Sequence, residues 1–272
     1  MNNQTLITGS SGFIGSFLKK KTIGSINLCN SNNSDSKSIQ CDLINKKQTY
    51  EIIGTYRPKI LFHLAGKINP QKNEEEKVDA YNKNFITTNN IVNAIKEFNL
   101  QTHLIFLSTD KVYDEINQFP SENDALSNKF YYGKLKHDCE ILLENNIKKY
   151  HILRVPIVHA NGDIGSSSFI DKSIIKIKNN QEVTVFDNIY RSFISIEDLT
   201  KTIIQVSKKK NYGIYNIGSE GISYYDRIIN LIKKYDKNKN LSLIKSANGT
   251  EFPKKLSLNT NKIKKNYNIT FN

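Results

Sequence analysis

The chain has 272 residues, of which 38% are hydrophobic and 10% aromatic, as expected for a globular protein with a sizeable core. No apolar run approaches about 18 residues and no basic leader precedes the first apolar run, so we expect a cytoplasmic protein without a membrane partner. Thirty-nine Lys and Arg against 26 Asp and Glu give a net charge of +13. The lysines are dispersed along predicted helices, which favours a compositional bias over a nucleic-acid partner. The positive charge would also suit an anionic substrate.

A glycine-rich turn, Thr8–Gly15, follows the first predicted strand at 5–7 and precedes a predicted helix. Its glycines, Gly9, Gly12 and Gly15, let the backbone turn tightly and let a diphosphate approach without meeting a Cβ atom. The helix N-terminus would add N–H donors and a positive dipole end. The spacing G-x-x-G-x-x-G differs from the commoner G-x-G-x-x-G fingerprint, and a plain loop is the alternative interpretation.

The second predicted strand, at 26–30, ends where nicotinamide-binding folds place the residue that meets the adenosine ribose. An acid there would accept the 2′-hydroxyl of NAD, whereas a basic residue would favour the 2′-phosphate of NADP. Asn30 and Ser31 are neutral and Lys37 is the nearest cation. The expected cofactor is therefore NADP(H) or NAD(H), with a slight preference for NADP(H).

Three further strands are predicted at 39–43, 60–66 and 104–107. Asp42 closes the first of them, and its alternative role is to cap the following helix. His63, inside the strongly apolar second strand, is interpreted as a packed core residue rather than a ligand. Between the second and third strands, helical periodicity extends over 78–98. The third strand runs into Ser108-Thr109-Asp110, polar residues at the strand end where open α/β sheets place their active sites.

Tyr132 and Lys136 lie four residues apart and therefore share one face of the next predicted helix. A tyrosine hydroxyl has an ordinary pKa of about 10, and a neighbouring ammonium stabilises the phenolate and lowers that pKa. The pair could thus act as an acid or base near neutral pH. A surface Tyr/Lys pair is the alternative on this pattern alone.

The alternation of strands and helices predicts an α/β fold, a Rossmann-type doubly wound parallel sheet with a smaller C-terminal α/β substrate-binding region. We place an NAD(P)-binding domain at 1–155 and a mainly substrate-binding region at 156–272, with segments at about 183–210 returning to the first domain. The three widely spaced cysteines indicate reduced thiols, with neither a disulfide framework nor a metal site.

Together these motifs resemble the extended short-chain dehydrogenase/reductase family within the NAD-dependent epimerase/dehydratase superfamily. The resemblance implies that the glycine turn binds the cofactor diphosphate. It also implies that Asp42, in the strand at 39–43, meets the adenine, and that Leu64-Ala65-Gly66, at the end of the strand at 60–66, lies beside the nicotinamide. The cofactor-binding residues implied by the resemblance are Gly9, Gly12, Phe13, Ile14, Gly15, Asp42, Leu43, Ala65, Gly66, Lys67, Tyr132 and Lys136.

The same resemblance implies the catalytic roles. Thr109 orients the substrate oxygen, Tyr132 is the proton donor or acceptor, and Lys136 lowers the tyrosine pKa and holds the nicotinamide ribose. Asp110 joins Thr109 in substrate binding. Arg191 opens a segment similar to R-D-F-I-x-V-x-D-L and is expected to meet the nucleotide diphosphate, with a structural ion pair as the alternative.

Two features of the sequence bear on the reaction. Lys111 stands where 4,6-dehydratases of the family commonly carry a glutamate, and the segment 253–263 is similar to dTDP-4-dehydrorhamnose reductases and their relatives. The resemblance therefore implies NAD(P)H-dependent reduction of a nucleotide-linked 4-keto-6-deoxy sugar, in cell-surface polysaccharide biosynthesis. The alternatives are an epimerase or 4,6-dehydratase with tightly bound NAD, and a non-catalytic binding subunit or basic RNA-binding module.

Two further features come from the same resemblance. Asn84 falls in a segment similar to the family's N-V-x-G-T-x-N helix, which implies a structural or proton-relay role. Family members often form homodimers through helices that correspond to those around 78–98 and 132–143, while the sequence itself leaves the oligomeric state open.

Overall fold

The computed structural model describes residues 5–30, 38–113, 117–127, 129–160, 168–235, 241–250 and 254–271. The strands in these ranges are β1 (Thr5–Thr8), β2 (Ile26–Cys29), β3 (Ser38–Gln40), β4 (Ile60–His63), β5 (His103–Thr109), β6 (Tyr150–Val155), β7 (Ile157–His159), β8 (Val183–Phe186), β9 (Tyr190–Arg191), β10 (Phe193–Ser195), β11 (Gly213–Asn216), β12 (Ile222–Ser223), β13 (Ile244–Ala247) and β14 (Lys255–Leu256). The α-helices are α1 (Phe13–Lys21), α2 (Lys46–Tyr56), α3 (Pro70–Glu75), α4 (Lys77–Tyr81), α5 (Thr87–Glu97), α6 (Tyr131–Asn146), α7 (Phe169–Lys178), α8 (Ile196–Ser207), α9 (Tyr224–Tyr235) and α10 (Asn261–Tyr267).

A seven-stranded parallel sheet in the order β11-β6-β5-β4-β1-β2-β3 organises the fold. In its centre, Thr5 of β1 pairs with Ile60 of β4, and Leu6 pairs with Ile26 of β2. After β1, the chain adds β2 and β3 on one side of it and then β4 and β5 on the other, so the strand order reverses at β1. The carboxyl ends of β1 and its neighbours therefore open on a crevice where such sheets bind ligands. The predicted Rossmann-type α/β fold is confirmed.

The central strands are apolar because helices cover both faces of a parallel sheet. Leu6, Leu61 and Ile105 are fully buried, and they belong to neighbouring strands. His63 is also buried at the end of β4, so its interpretation as a packed core residue is confirmed. The packed centre of the sheet thereby fixes the carboxyl ends of β1, β4 and β5, from which the candidate site is built.

The chain divides into two compact units. The first comprises the described residues of 1–114, 125–154 and 200–215, and the second those of 115–124, 155–199 and 216–272. In the second unit, β7 pairs with β10, β8 with β13, and β9 with both β12 and β14. Which unit binds cofactor and which binds substrate stays a prediction.

The helix predicted over 78–98 is interrupted. A π-helical turn, Asn82–Ile86, separates α4 from α5, which ends at Glu97. A π-helical turn holds an extra residue and often marks a functional position. Here it carries the buried side chain of Asn84.

Two bulk expectations can be compared with the structure. Within the described part of the chain, no helix has both the length and the apolar character needed to cross a bilayer. Cys29, Cys41 and Cys139 are all buried free thiols, as predicted.

Candidate active site

The glycine turn between β1 and α1 is shaped by two close backbone approaches. Gly9 has φ +66°, and a Cβ atom added there would lie 2.8 Å from the backbone nitrogen of Ala65. A Cβ atom at Gly15 would lie 2.1 Å from the carbonyl oxygen of Gly9. Both distances are shorter than any side chain tolerates, so glycine is required at both positions. Gly12 donates its N–H to the Gly9 carbonyl at 3.0 Å and precedes α1 without a side-chain cap.

A pocket of about 240 Å³ opens at this turn, in the first unit. Six residues predicted to bind the cofactor line it: Gly9, Gly12, Asp42, Leu43, Ala65 and Gly66. The others are Ser11, Leu28, Cys29, Asn30, Cys41, Ile44, Leu64, Lys83 and Thr87. The pocket therefore joins the carboxyl ends of β1, β2 and β4, three strands whose ends the sequence had singled out.

Six predicted cofactor residues do not line this pocket: Phe13, Ile14, Gly15, Lys67, Tyr132 and Lys136. Phe13 and Ile14 form the first turn of α1 and are half-buried. The Lys67 ammonium forms ion pairs with Glu76 and with Asp79, the latter at 2.8 Å. These two carboxylates, chiefly through their hydrogen bonds, raise the pKa of Lys67 above its ordinary value.

The alternative role of Asp42 as a helix cap is wrong. The side chain that caps α2 is that of Asn45, which accepts from the backbone of Gln48 at 3.2 Å. Asp42 instead accepts the N–H of Ile44 at 3.0 Å in an Asx-type turn. This turn holds the carboxylate at the pocket wall.

A chain of buried hydrogen bonds joins the ends of β1 and β4 to α5. Thr88 Oγ1 lies 2.6 Å from the Asn84 carbonyl, to which it donates, so it accepts from His63 Nε2 at 3.0 Å. His63 Nδ1 is then the acceptor for Thr8 Oγ1, at 2.8 Å. Thr8 Oγ1 in turn accepts the N–H groups of Leu64 and Ala65, each at 3.2 Å. This network holds the Ala65–Gly66 turn against the glycine turn, and burial lowers the pKa of His63 to about 3, which keeps the ring neutral.

Asn84 holds the same turn from the other side. Its Oδ1 atom accepts the N–H of Lys67 at 3.2 Å, and its Nδ2 atom donates to the Lys67 carbonyl at 3.2 Å and to Asn73 Oδ1 at 3.1 Å. A Cβ atom at Gly66 would lie 2.7 Å from Asn84 Oδ1, so the turn can only close on a glycine. The resemblance implied a structural or a proton-relay role for Asn84, and these contacts support the structural role.

The start of α6 faces the end of β5. Lys136 Nζ donates to the Leu107 carbonyl at 2.8 Å and lies 4.4 Å from the centre of the Phe106 ring. It also reaches the pocket turn, since a Cβ atom at Gly66 would lie 3.8 Å from it. Tyr132, one helical turn earlier on α6, is buried. The structure thus brings Lys136 to the end of β5 and to the Gly66 turn, and it brings Tyr132 within the electrostatic reach of Asp110.

Thr109 and Asp110 complete this group. Thr109 Oγ1 donates to Asp110 Oδ1 at 3.2 Å and accepts the N–H of Lys111 at 3.3 Å, which caps the short 3₁₀ turn Asp110–Val112. Ser108 Oγ, one residue earlier, is buried and has no hydrogen-bond partner among the described residues. A buried hydroxyl without a partner is costly and is most readily explained by a bound group.

The pKa of Tyr132 is raised, opposite to the lowering expected from a neighbouring ammonium. Burial raises it above its ordinary value, and the Asp110 carboxylate raises it further. The Lys136 ammonium donates to the Leu107 carbonyl, and its effect on the tyrosine stays a prediction. Burial lowers the pKa of Lys136 as well.

Arg191 lies in the second unit, on β9, with its side chain buried. Its Nη1 atom donates to the Tyr190 carbonyl at 2.8 Å and to the Lys254 carbonyl at 3.4 Å. A role in substrate binding stays a prediction for this residue.

One buried ion pair was missed by sequence reasoning. Arg154 of β6 binds Glu140 of α6 through Nη2 at 2.7 Å and Nε at 3.2 Å, and donates from Nη1 to the hydroxyl of Tyr113 at 2.8 Å. Glu140 lies one turn after Lys136 on α6. The pair therefore holds the helix that carries the Tyr/Lys face against the sheet.

These features fit a nicotinamide dinucleotide. The first turn of α1 contains no acid, its N-terminal N–H groups have no side-chain cap, and Gly9 and Gly15 leave no room for side chains beside it. The fold and the site together define an α/β protein of the dinucleotide-binding class.

The family is shown by sequence. The model of the NAD dependent epimerase/dehydratase family matches residues 5–218, and the chain belongs to this family. The family membership predicted from the motifs is confirmed.

Two curated relatives illustrate the range of similar proteins. Methionine adenosyltransferase 2 subunit beta of Mus musculus is 24% identical over 218 residues, which are 77% of this chain but only 63% of that protein. A dTDP-4-dehydrorhamnose reductase of Aggregatibacter actinomycetemcomitans is 26% identical over 263 residues, covering 91% of this chain and 85% of the relative.

Solved structures agree on the fold. A UDP-glucose 4-epimerase of Thermotoga maritima with UDP-glucose superposes with a TM-score of 0.83 at 22% identity, over 97% of this chain and 92% of the other. A dTDP-4-dehydrorhamnose reductase of Bacillus anthracis in complex with NADP also has a TM-score of 0.83, at 19% identity, over 98% and 92% of the two chains.

Proposed function

We propose that the protein is an NAD(P)H-dependent oxidoreductase that reduces the keto group of a nucleotide-linked 4-keto-6-deoxy sugar. The observation that carries the proposal is the position of Lys136, whose ammonium lies beside Gly66 of the cofactor pocket and is hydrogen-bonded to the strand that ends in Thr109. Tyr132 shares the helix face of Lys136. This arrangement supports a role for Tyr132 as a proton donor next to the position expected for the nicotinamide.

The pocket supplies a place for each part of the cofactor, which would provide the hydride. The N–H groups of the glycine turn and the α1 dipole would hold the diphosphate. Asp42 and Leu43 would meet the adenine, and the backbone of Ala65, Gly66 and Lys67 would lie along the nicotinamide side. Ser108 Oγ, near the end of β5, is a buried hydroxyl without a hydrogen-bond partner among the described residues.

The raised pKa of Tyr132 supports the direction of the reaction. A phenol whose pKa is raised by burial and by Asp110 stays protonated at neutral pH. It is thus in the form that donates a proton to the alkoxide that develops when a ketone is reduced. Lys136 would stabilise the resulting phenolate, and Thr109 would turn its hydroxyl from Asp110 to the sugar oxygen.

Lys111 also favours a reductase over a dehydratase. Dehydration needs a carboxylate to remove a proton from the sugar ring, and here that position is cationic. The Lys111 ammonium lies 5.7 Å from the centre of the Phe130 ring, within the range of a cation–π contact. The similarity to a curated dTDP-4-dehydrorhamnose reductase is a second support.

The substrate contacts are proposals of the same kind. Thr109 and Asp110 would contact the sugar, and Arg191 would meet the nucleotide diphosphate as a charge-assisted donor. The neutral Asn30 at the end of β2 favours NADP(H) slightly over NAD(H).

The first experiment mixes the purified protein with NADPH or NADH and a panel of nucleotide-linked 4-keto-6-deoxy sugars, and follows the near-ultraviolet absorbance of the reduced coenzyme. We expect stoichiometric oxidation with one sugar. Tyr132→Phe should lower the rate about 10²–10⁴-fold with the fold intact, the range for loss of a general acid. Tyr131→Phe, at the neighbouring position on α6, is the matched control and should retain the rate.

Two other outcomes correspond to the alternatives. Bound NAD released on denaturation, with no net oxidation of NAD(P)H, would indicate an epimerase or dehydratase, as the similarity to a UDP-glucose 4-epimerase structure allows. If neither the wild type nor Tyr132→Phe turns over any of the sugars, a binding subunit would be favoured. The relative described as a subunit suggests this alternative.

A further inference from the structure

A second feature of the first unit lies at the amino ends of its strands, away from the strand ends that form the candidate active site. In a parallel sheet with helical connections, each helix ends near the amino end of the next strand. We define the basic edge as the last turn of each such helix and the loop up to the following strand: residues 18–25, 53–59, 94–102, 143–149 and 204–212.

Hydrogen bonds hold these segments side by side. The N–H of His103 donates to the Lys59 carbonyl at 2.8 Å, and that of Leu104 donates to the Lys149 carbonyl at 2.9 Å. His151 Nε2 lies 2.8 Å from the Asn211 carbonyl. The four segments that precede β4, β5, β6 and β11 are therefore linked side by side. The segment at 18–25 precedes β2, which β1 separates from β4 along the same edge of the sheet.

The charge on this surface is one-sided. Its cations are Lys19, Lys20, Lys21, Arg57, Lys59, Lys96, Lys148, Lys149, Lys208, Lys209 and Lys210. Its only acids among these described segments are Glu97 and Glu144. The eleven cations and two acids leave 28 cations and 24 acids for the rest of the sequence. A uniform compositional bias would not concentrate the excess charge at one edge of one sheet.

Stabilisation of helix ends does not account for the arrangement. Lysines in the last turn of a helix favour its dipole, and this explains Lys19–Lys21 and Lys96. The other seven cations lie beyond the helix ends, in the loops. Nine of the eleven side chains are exposed, all except Lys19 and Lys149, which are half-buried.

We propose that the basic edge binds the phosphate backbone of a nucleic-acid duplex. From β11 to β2 the edge crosses five strand intervals, which is about 24 Å at the usual strand spacing. Exposed amides alternate with the lysines at Asn99, Gln101 and Asn211 and can donate to phosphate and sugar oxygens. This combination matches sequence-independent binding to a backbone.

The side chains between the cations favour a duplex over two other polyanions. Tyr150 and Tyr212 are half-buried, and Tyr212 packs its ring edge against His103, so they offer no open platform for stacking single-stranded bases. Ile23 is the one strongly exposed apolar side chain in these segments, which is too little for insertion into a lipid surface. A duplex partner for the basic edge differs from the expectation of no nucleic-acid partner, which rested on lysines dispersed along the predicted helices.

A cavity of about 280 Å³ lies at the centre of the basic edge, between the ends of α5 and α6. Lys96, Lys148 and Lys149 line it together with amide side chains. Lys96 Nζ donates to Asn146 Oδ1 at 2.7 Å, which holds the ammonium at the rim. A phosphate group of the duplex would be placed here.

The test is fluorescence anisotropy of a labelled 20-base-pair DNA duplex of mixed sequence, and of an RNA duplex of the same length, titrated with the protein at several salt concentrations. The edge variant is Lys148→Gln/Lys208→Gln/Lys210→Gln. The control variant, Lys233→Gln/Lys234→Gln/Lys265→Gln, removes the same charge from exposed positions elsewhere. Circular dichroism and urea unfolding establish that each variant is folded.

We expect wild type and control to bind alike, and the edge variant to bind at least about tenfold more weakly, with its log–log salt slope reduced by about 2.7 for three lost phosphate contacts. Equal weakening of both variants would show that net charge alone acts and would overturn the proposal. So would failure of wild type to bind either duplex at low salt, or binding only to vesicles containing phosphatidylserine. Because the readout is binding to a duplex, the proposal stands or fails independently of the reductase activity.

Discussion

Gly133, between the Tyr and Lys of the α6 face, sets how closely that helix approaches the end of β5. A Cβ atom at this position would lie 2.2 Å from the carbonyl oxygen of Lys111 and 2.9 Å from its carbonyl carbon. Side chains do not approach closer than 3.0 Å, so in Gly133→Ala the helix and the turn must separate by about 0.8 Å. Since Lys111 follows Thr109 and Asp110, this shift moves Tyr132 away from the residues proposed to orient the substrate.

The expected effects on stability and on turnover differ. Overpacking costs about 1–3 kcal/mol, and the higher helix propensity of alanine offsets about 1 kcal/mol of that cost. A displacement near 1 Å in a catalytic arrangement lowers the rate about 10²-fold. We therefore expect Gly133→Ala to lose at most about 2 kcal/mol in urea unfolding but about 10²-fold in kcat with the sugar that the coenzyme-oxidation assay selects.

Gly54→Ala in α2 is the matched control. Its added Cβ atom would meet the ring end of Phe98 at 2.8 Å, a side chain that can turn aside, in a helix far from Tyr132 in sequence. This variant should keep its activity. Full activity of Gly133→Ala with unchanged stability would refute the argument, because the close approach to Lys111 would then have no consequence for the site.

Three further predictions follow from buried charges and the pocket wall. Glu140→Gln should cost about 3–5 kcal/mol in urea unfolding, since it leaves its buried arginine partner without a counter-charge, whereas the exposed Glu144→Gln should be neutral; equal losses would contradict this. Burial lowers the pKa values of His63, His103 and His151 below the unfolded value near 6.5, that of His63 to about 3. The unfolded chain therefore binds protons first, and the free energy of unfolding should fall as the pH drops from about 6.5 towards 4. A urea midpoint that is flat over this range would exclude the effect. Asn30→Asp should raise the affinity for NADH relative to NADPH, measured by quenching or enhancement of cofactor fluorescence, because the carboxylate accepts a ribose hydroxyl and repels a phosphate; an unchanged ratio would remove Asn30 from the adenosine site.

The parts of the site that could be predicted are those that have a local signature. A glycine turn after an apolar strand, as at Gly9 and Gly15, reports its own backbone geometry, and the polar residues of Thr109–Asp110 mark a strand end by their position alone. The family motifs then order these strand ends around one pocket. Roles for Arg191 and for the catalytic residues stay predictions until they are assayed.

What could not be predicted depends on which distant residues the fold brings together. The hydrogen bonds of His63 to Thr8 and Thr88 require three separate segments, and the Arg154–Glu140 pair joins a strand to a helix face that sequence periodicity cannot place in register. The same limit applies to the π-helical turn at Asn84, whose extra residue breaks the period on which a helix is predicted.

The Tyr132 pKa shows why this limit matters for chemistry. Spacing on a helix establishes that Lys136 is near, which alone predicts a lower pKa. The structure adds two opposing facts: the phenol is buried, and the Asp110 carboxylate is the charged group that raises its pKa most. Both favour the neutral phenol, which is the acid that a ketoreductase needs and the wrong starting form for an enzyme that must first deprotonate an alcohol. We therefore expect the residues around the Tyr/Lys pair to set the pH range in which Tyr132 can donate a proton, and a variant that removes the Asp110 charge, Asp110→Asn, should shift the basic limb of the kcat profile for reduction to lower pH.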